Sequence, residues 1–353
     1  MRQPDLLTPE SGFEPDDVLR VRAAWLYYVG ELNQADTAQR LGITRARANR
    51  LIAEARECGL VTITVNDDAG STQAVQAALA LRYGLSMCIV TPPIGFAAAP
   101  VKDLATRTAQ GQIARRAVGI AAAQFLKGKL QGGHAITVGI GWGRTLEQMA
   151  LHLAGVRNPK ARFVSLLGSL TRNSASNPFE VVQTLAARTG GQGYVLPVPF
   201  VADSAADRDV LMSQRVVAET LRVARGADLN IASLGELGPQ SLVRLQDMLS
   251  AQDIRSVQAA GGIADMLGHL FDRKGGVIEH ELNQRTAALD IADVRHVPLV
   301  LLCAGLEKLA AADAVLRSGL VNGLVIDGDT ALRLQALEPP AQAGSATRRA
   351  PRR

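Results

Sequence analysis

Cysteine is scarce and scattered: Cys58, Cys88 and Cys303 are the three in 353 residues, too far apart for a disulfide framework or a cysteine-based zinc site. They read as reduced, structural thiols. Aromatic residues make up 4% of the chain, too few for a surface built to stack on single-stranded bases. Long apolar runs are missing as well. The longest near the C-terminus, Val297 to Leu306, is half of the roughly 20 residues that a membrane-spanning helix requires. The stretch Met1 to Asp17 is polar and acidic, without the basic start and apolar core of a secretory signal. The histidines (His134, His152, His269, His280, His296) show no pairing that suggests a triad or a metal site. These absences predict a cytoplasmic protein with no membrane partner, no metal, no cofactor and no catalytic residue.

What is present is a chain with 47% hydrophobic and 20% charged residues, ample for a large core and long enough for about two domains. The net charge of +5 invites a nucleic-acid reading, but Arg348, Arg349, Arg352 and Arg353 supply four of those charges. DNA binding must therefore be argued from a motif. Residues 1–16 and 338–353 lack apolar periodicity and read as disordered ends. Between them, residues 17–66 show short helices separated by tight breaks, and Ser71 to Tyr83 reads as a connecting helix within 67–85. From 86 to 337, apolar runs such as Ala135–Ile140, Phe163–Leu167, Leu299–Leu302 and Gly323–Ile326 alternate with helical stretches. That alternation is the signature of a parallel α/β sheet buried on both faces.

Three helices are expected between Asp17 and Glu57. The first, Val18 to Val29, carries Val21, Trp25 and Tyr28 at helical spacing; the second starts behind Asn33 and ends at Gly42; Thr44 caps the third. Two helices across a short glycine turn make a helix-turn-helix. In the third helix Ala48, Leu51, Ile52 and Ala55 follow the i, i+3, i+4, i+7 pattern of a packing face. The other side offers Arg45, Arg47, Asn49 and Arg50, residue types that reach base edges and phosphates in a major groove. Leu60 to Val65 is expected as a small wing strand. The same pattern also fits a generic three-helix unit with a basic solvated face.

The second informative segment is Thr137-Val-Gly-Ile-Gly-Trp-Gly-Arg-Thr-Leu146. An apolar strand enters a glycine-rich turn that opens a helix, where free N–H groups favour an anion and Arg144 and Thr145 add donors. A tight turn without a ligand fits these residues too. The glycine spacing is GxGxG, no acidic residue follows about 20 positions on, and no GxxxxGK[ST] loop occurs, which argues against a nucleotide.

The runs Val21–Tyr28, Gln34–Arg45, Asn49–Ile52 and Ala55–Leu60 resemble the SorC family of sugar-binding transcriptional regulators. So do Gly139–Thr145, Leu167–Ser169, Asn177–Pro178, Gly262–Asp265 and Ala304–Lys308, over residues 18 to 336. The resemblance implies a winged helix-turn-helix followed by a Rossmann-like α/β effector domain, related to sugar-phosphate isomerases, deaminases and CoA transferases. It implies a regulator of a carbohydrate-metabolism operon, controlled by a phosphorylated sugar or sugar alcohol, working as a homo-oligomer, a tetramer on palindromic operator DNA. Gln34, Thr44, Arg45, Arg47, Asn49 and Arg50 would face DNA. Gly141, Trp142, Gly143, Arg144 and Thr145 would hold the phosphate with Lys308, while Gly168, Ser169, Asn177 and Asp265 would line the pocket. Read alone, Lys308 is equally a surface lysine and Asp265 equally a helix cap. The chain departs from the family at Thr37, Ser233–Glu236, Ala264 and Leu306, and bulkier loops there are expected to reshape the sugar end. The competing reading is a sugar-phosphate enzyme with an accessory helix-turn-helix, for which Glu236 is the one candidate nucleophile.

Overall fold

The computed structural model describes residues 16–58, 60–61, 72–96, 103–169, 177–238, 241 and 249–337. The chain divides into two compact units, Met1–Val65 and Asn66–Arg353.

In the first unit α1 (Asp16–Ala24) runs into a π-helical turn (Trp25–Val29), followed by α2 (Gln34–Leu41) and α3 (Arg45–Glu57). Local chemistry sets each boundary. The Asn33 side chain accepts from the N–H groups of Ala35 and Asp36, Gly42 closes α2 at a φ of 63°, and Thr44 Oγ1 accepts from the Arg47 N–H, as capping rules require. Ala48, Leu51, Ile52 and Ala55 are all buried, and α1 meets them with Leu19 and Ala23. The first helix departs from expectation. Val21 and Trp25 are exposed: α1 buries Leu19, Ala23 and Ala24 instead of Val21, and from Trp25 on a wide turn, closed by the Gly30 N–H on the Trp25 carbonyl, breaks the regular helical spacing. Residues 62–65 of the expected wing strand lie outside the described residues.

The second unit opens with α4 (Gln73–Tyr83), β1 (Met87–Val90), α5 (Leu104–Leu130), β2 (Ile136–Ile140), α6 (Arg144–His152) and β3 (Ala161–Ser169). It continues through α7 (Pro178–Thr189), β4 (Gln192–Pro199), α8 (Ala205–Ser213), α9 (Arg215–Arg225) and β5 (Leu229–Glu236). Then come α10 (Ala251–Ala259), a hairpin of β6 (Gly262–Met266) and β7 (His269–Asp272), and two short helices, α11 (Glu281–Arg285) and α12 (Ile291–Val294). The last part holds β8 (Leu299–Cys303), a 3₁₀ turn (Leu306–Lys308), α13 (Leu309–Arg317), β9 (Gly323–Ile326) and α14 (Gly328–Gln335). Seven strands pair in parallel in the order β1-β9-β8-β5-β2-β3-β4, and the β6–β7 hairpin extends antiparallel from the end of β5.

The apolar runs are the parallel strands, with side chains buried on both faces. Val118, Leu126, Leu146 and Leu185 pack on one side, and Leu221, Val257, Leu289 and Val315 on the other. The chain steps from β2 outward through β3 and β4, then returns to the opposite side of β2 with β5. Such a reversal opens a crevice beyond the C-terminal strand ends, where ligands of open α/β sheets bind. Among the described residues no helix is long and apolar enough to cross a membrane.

Candidate functional site

In the first unit α3 turns its basic residues away from its buried stripe. Arg45 is exposed; Arg50 is largely exposed and sits 3.5 Å from Glu54. Arg47 donates to Asp16 Oδ1 at 2.6 Å, and hydrogen bonding to Arg47 pulls the Asp16 carboxyl below its usual pKa. Thr44 spends its hydroxyl as the helix cap, Gln34 is half-buried at the start of α2, and Asn49 is half-buried with Oδ1 shielded from solvent. Arg45, Arg47 and Arg50 thus share the accessible side of α3, and the others flank it. Thr37 is fully buried, its hydroxyl without a hydrogen-bond partner among the described residues, so this departure from the family falls on a core position.

In the second unit the reversal point between β2 and β5 carries the glycine-rich turn. Gly143 has φ 129°, and a Cβ there would stand 2.6 Å from Ser233 Oγ. Only glycine fits that backbone. It opens α6 without a side-chain cap, so the first N–H groups of the helix lack that partner. Thr145 is 1% exposed, and its hydroxyl has no hydrogen-bond partner among the described residues. A buried, unpaired hydroxyl costs about 1–3 kcal/mol, a cost a bound acceptor would remove.

Cations converge on this turn. Lys308, at the end of the 3₁₀ turn after β8, is buried and donates to the Leu234 carbonyl at 2.7 Å. Burial, with the fields of Arg144 and Arg115, holds its ammonium below the usual lysine range. Arg115 on α5 is 7% exposed and lies 3.6 Å from Glu307; burial first and Arg144 second depress its pKa. Three cations lie within one another's fields here, two of them buried, with the carboxylates of Glu307, Glu147 and Glu236 in the same field, an arrangement whose mutual repulsion a further anion would relieve. Nearby, burial raises the Glu236 carboxyl above its usual range.

Asp265, on β6, is buried and accepts from the Gly268 N–H; burial pushes its pKa up to about 7 against the opposing field of Lys308. It caps no helix. A small, mostly apolar hollow lined by Phe200, Leu237, Leu249, Leu270 and Leu282 adjoins it. Trp142 closes on Phe200 edge to face, ring centroids 5.3 Å apart. Asn177 is buried at the start of α7, its carbonyl accepting from Val181. Ser169 ends β3. Gly168 is held by packing: its N–H donates to Ala287, and a Cβ would lie 2.6 Å from the Pro199 carbonyl.

The departures noted in sequence act on the loops more than on open space. Ser233 donates to the Trp142 carbonyl at 2.8 Å and so braces the glycine-rich turn. Ala264 is fully buried in β6. Sequence reading missed Arg115 and Glu307, and took Ser233 as a bulkier loop residue and not as a brace of the turn. For Arg115 a signal existed, since it stands three residues before Val118 on the buried line Val118, Ala122, Leu126, Leu130, where an arginine needs a polar reason.

Residues 67–336 match the family described as "Putative sugar-binding domain". The erythritol catabolism regulatory protein EryD of Brucella abortus is 37% identical over 321 residues, covering 91% of this chain and 97% of that protein. The chain belongs to the SorC family of sugar-binding transcriptional regulators. The transcriptional regulator LsrR of an Enterobacter species is 25% identical over 328 residues, covering 91% of this chain and 94% of its own. The full-length sorbitol operon regulator SorC of Klebsiella pneumoniae shares the fold, with TM-score 0.65 at 20% identity over 91% of this chain and 100% of that one. This SorC-family chain therefore carries its cation cluster inside the segment that matches the sugar-binding family.

Proposed function

We propose that this protein is an operator-binding regulator of a carbohydrate-metabolism operon, released or recruited by a phosphorylated sugar or sugar alcohol at the β2–β5 crevice. The carrying observation is the buried Thr145 hydroxyl, without a hydrogen-bond partner among the described residues, at the open start of α6 beside Arg144, whose charge acts on both Arg115 and Lys308. Helix start, hydroxyl and cations are the donor set of a phosphate site. Gly141, Trp142, Gly143, Arg144, Thr145 and Lys308 hold the phosphate in this reading. Asp265 takes sugar hydroxyls, with Gly168, Ser169 and Asn177 beside it. EryD is named for erythritol, and four-carbon polyol phosphates are accordingly the first ligands to test.

On the DNA side, Arg45, Arg47 and Arg50 contact phosphates and base edges, with Gln34, Thr44 and Asn49 supporting. A homotetramer would present pairs of these helices to half-sites related by two-fold symmetry. A ligand that binds one quaternary arrangement more tightly shifts operator affinity by its differential binding energy. The site binds without turnover in this reading, in the cytoplasm.

A thermal-shift screen of phosphosugars and polyol phosphates, followed by operator gel shifts with and without the best ligand, tests the proposal. A ligand that both stabilises the protein and changes operator affinity supports it. Turnover of that ligand by pure protein, with Asp265 or Glu236 as base, would replace it with the enzyme reading.

A further inference from the structure

Arg115 is the cation at this site that neither the glycine-rich turn nor the strand ends explain. It projects from α5, is 7% exposed, and meets Glu307 through one Nη1–Oε1 contact of 3.6 Å. That is an ion pair beyond hydrogen-bond length, a poor use of a guanidinium that can grip an oxyanion with two parallel N–H donors. Glu307 is its opposite in setting. Its side chain is 42% exposed, it sits in the 3₁₀ turn one residue from Lys308, and its charge acts on Lys308 as well as on Arg115. Glu147 adds a weaker negative field at Arg115, and Arg144 opposes both by crowding the same space with positive charge.

Resting on the phosphate reading above, we propose that Arg115 is a ligand-gripping, specificity-determining residue whose counter-ion in the free protein is Glu307. An arriving phosphate takes Arg115 over from Glu307, whose half-exposed carboxylate turns to solvent at little cost. Three consequences follow from this exchange of ion-pair partners. Glu307 competes with the ligand, so it weakens phosphate affinity. Arg115 is required for tight binding, and its planar fork matters as well as its charge. The exchange favours an oxyanion with two charges to offer over one with a single charge, because a lone negative charge merely replaces the one Glu307 already supplies.

The experiment is calorimetric titration of the full-length protein with inorganic phosphate above pH 7.5, and with nitrate as a singly charged comparison. Glu307→Gln, on a half-exposed side chain, tightens phosphate binding about two- to fivefold by removing an exposed competing charge. Arg115→Gln weakens it roughly tenfold or more, the worth of a charge-assisted hydrogen bond, and Arg115→Lys falls between. In the double variant the gain from Glu307→Gln shrinks to what Glu307 does through Lys308, since Glu307 and Arg115 act on each other. If Glu307→Gln leaves phosphate affinity unchanged, or its gain persists undiminished without Arg115, the exchange is wrong while the phosphate site can stand. Thr145→Val separates the two readings: phosphate binding that ignores it, or its absence in the unaltered protein, removes the site itself and this inference with it.

Discussion

Replacing Thr145 with valine tests the anion site through two effects of opposite sign. The side chain is 1% exposed and its hydroxyl is unpartnered among the described residues, so the free protein bears a desolvation cost that valine, nearly the same shape, does not. Removing an unsatisfied buried hydroxyl returns about 1 kcal/mol or more, and for a unit of this size each such increment raises Tm by roughly 2–4 °C. The ligand-bound protein should respond the other way. A hydroxyl donating to a phosphate oxygen is a charge-assisted bond of about 1.5–3 kcal/mol, so the Kd should weaken by roughly one to two orders of magnitude. Scanning calorimetry of both proteins, with and without the best phosphosugar from the screen, reads both quantities. Thr145→Ser, which keeps the hydroxyl, should retain most of the affinity. A valine variant less stable than the parent when ligand-free, or stabilised by ligand as much as the parent, would refute the assignment of this hydroxyl to the ligand.

Further outcomes follow from groups outside that turn. Thr37→Val removes a second buried hydroxyl that has no partner among the described residues and should stabilise the N-terminal unit by about 1 kcal/mol in denaturant titrations; a loss of stability there would mean the hydroxyl has a partner in the folded unit. Asp16→Asn frees Arg47 from its 2.6 Å contact, so operator binding should tighten at low salt and its salt dependence should steepen, and unchanged gel shifts would show that Asp16 does not compete with DNA. Burial raises Asp265 from 3.8 to about 7, so the folded chain keeps a proton that the unfolded chain has released. The stability tied to that proton is complete below about pH 4 and is lost as pH rises through 7, by a few kcal/mol at about 1.4 per pKa unit. Asp265→Asn should flatten that slope in pH-dependent unfolding, and an identical slope in both proteins would show that the carboxyl is already ionised when folded.

How much of this was legible in sequence depends on whether the cause was local. The α3 packing face and the caps at Asn33, Gly42 and Thr44 are set within a few residues, and they read correctly. The parallel strands read correctly because burial on both faces leaves unbroken apolar runs. The π-helical turn did not, since Trp25 and Tyr28 keep helical spacing on paper while the backbone closes one residue wide at Gly30. The β6–β7 hairpin was hidden for a related reason. Its turn places Leu267 at φ 52° followed by Gly268 at 77°, a position where Asn or Asp would have been the visible signal. Leucine stands there because it is 2% exposed and packs beneath Gly141, so tertiary packing overrides turn chemistry.

That packing also changes what the glycine-rich turn means. Gly141 faces Leu267 and Ala232 at distances where a Cβ would crowd both, and Gly168 faces strand carbonyls; neither requires a ligand to explain it. Gly143 is different in kind, because its φ of 129° is what swings the chain into α6. The weight of the anion reading therefore falls on the residues after it, Arg144 and Thr145, and on two buried cations from distant parts of the chain, Arg115 and Lys308. Burying two cations beside a third opposes folding unless an anion compensates. Glu307 supplies part of that compensation from a half-exposed position, with Glu147 and Glu236 in the same field, so in the proposed exchange the charge at position 307 sets how much an arriving effector gains.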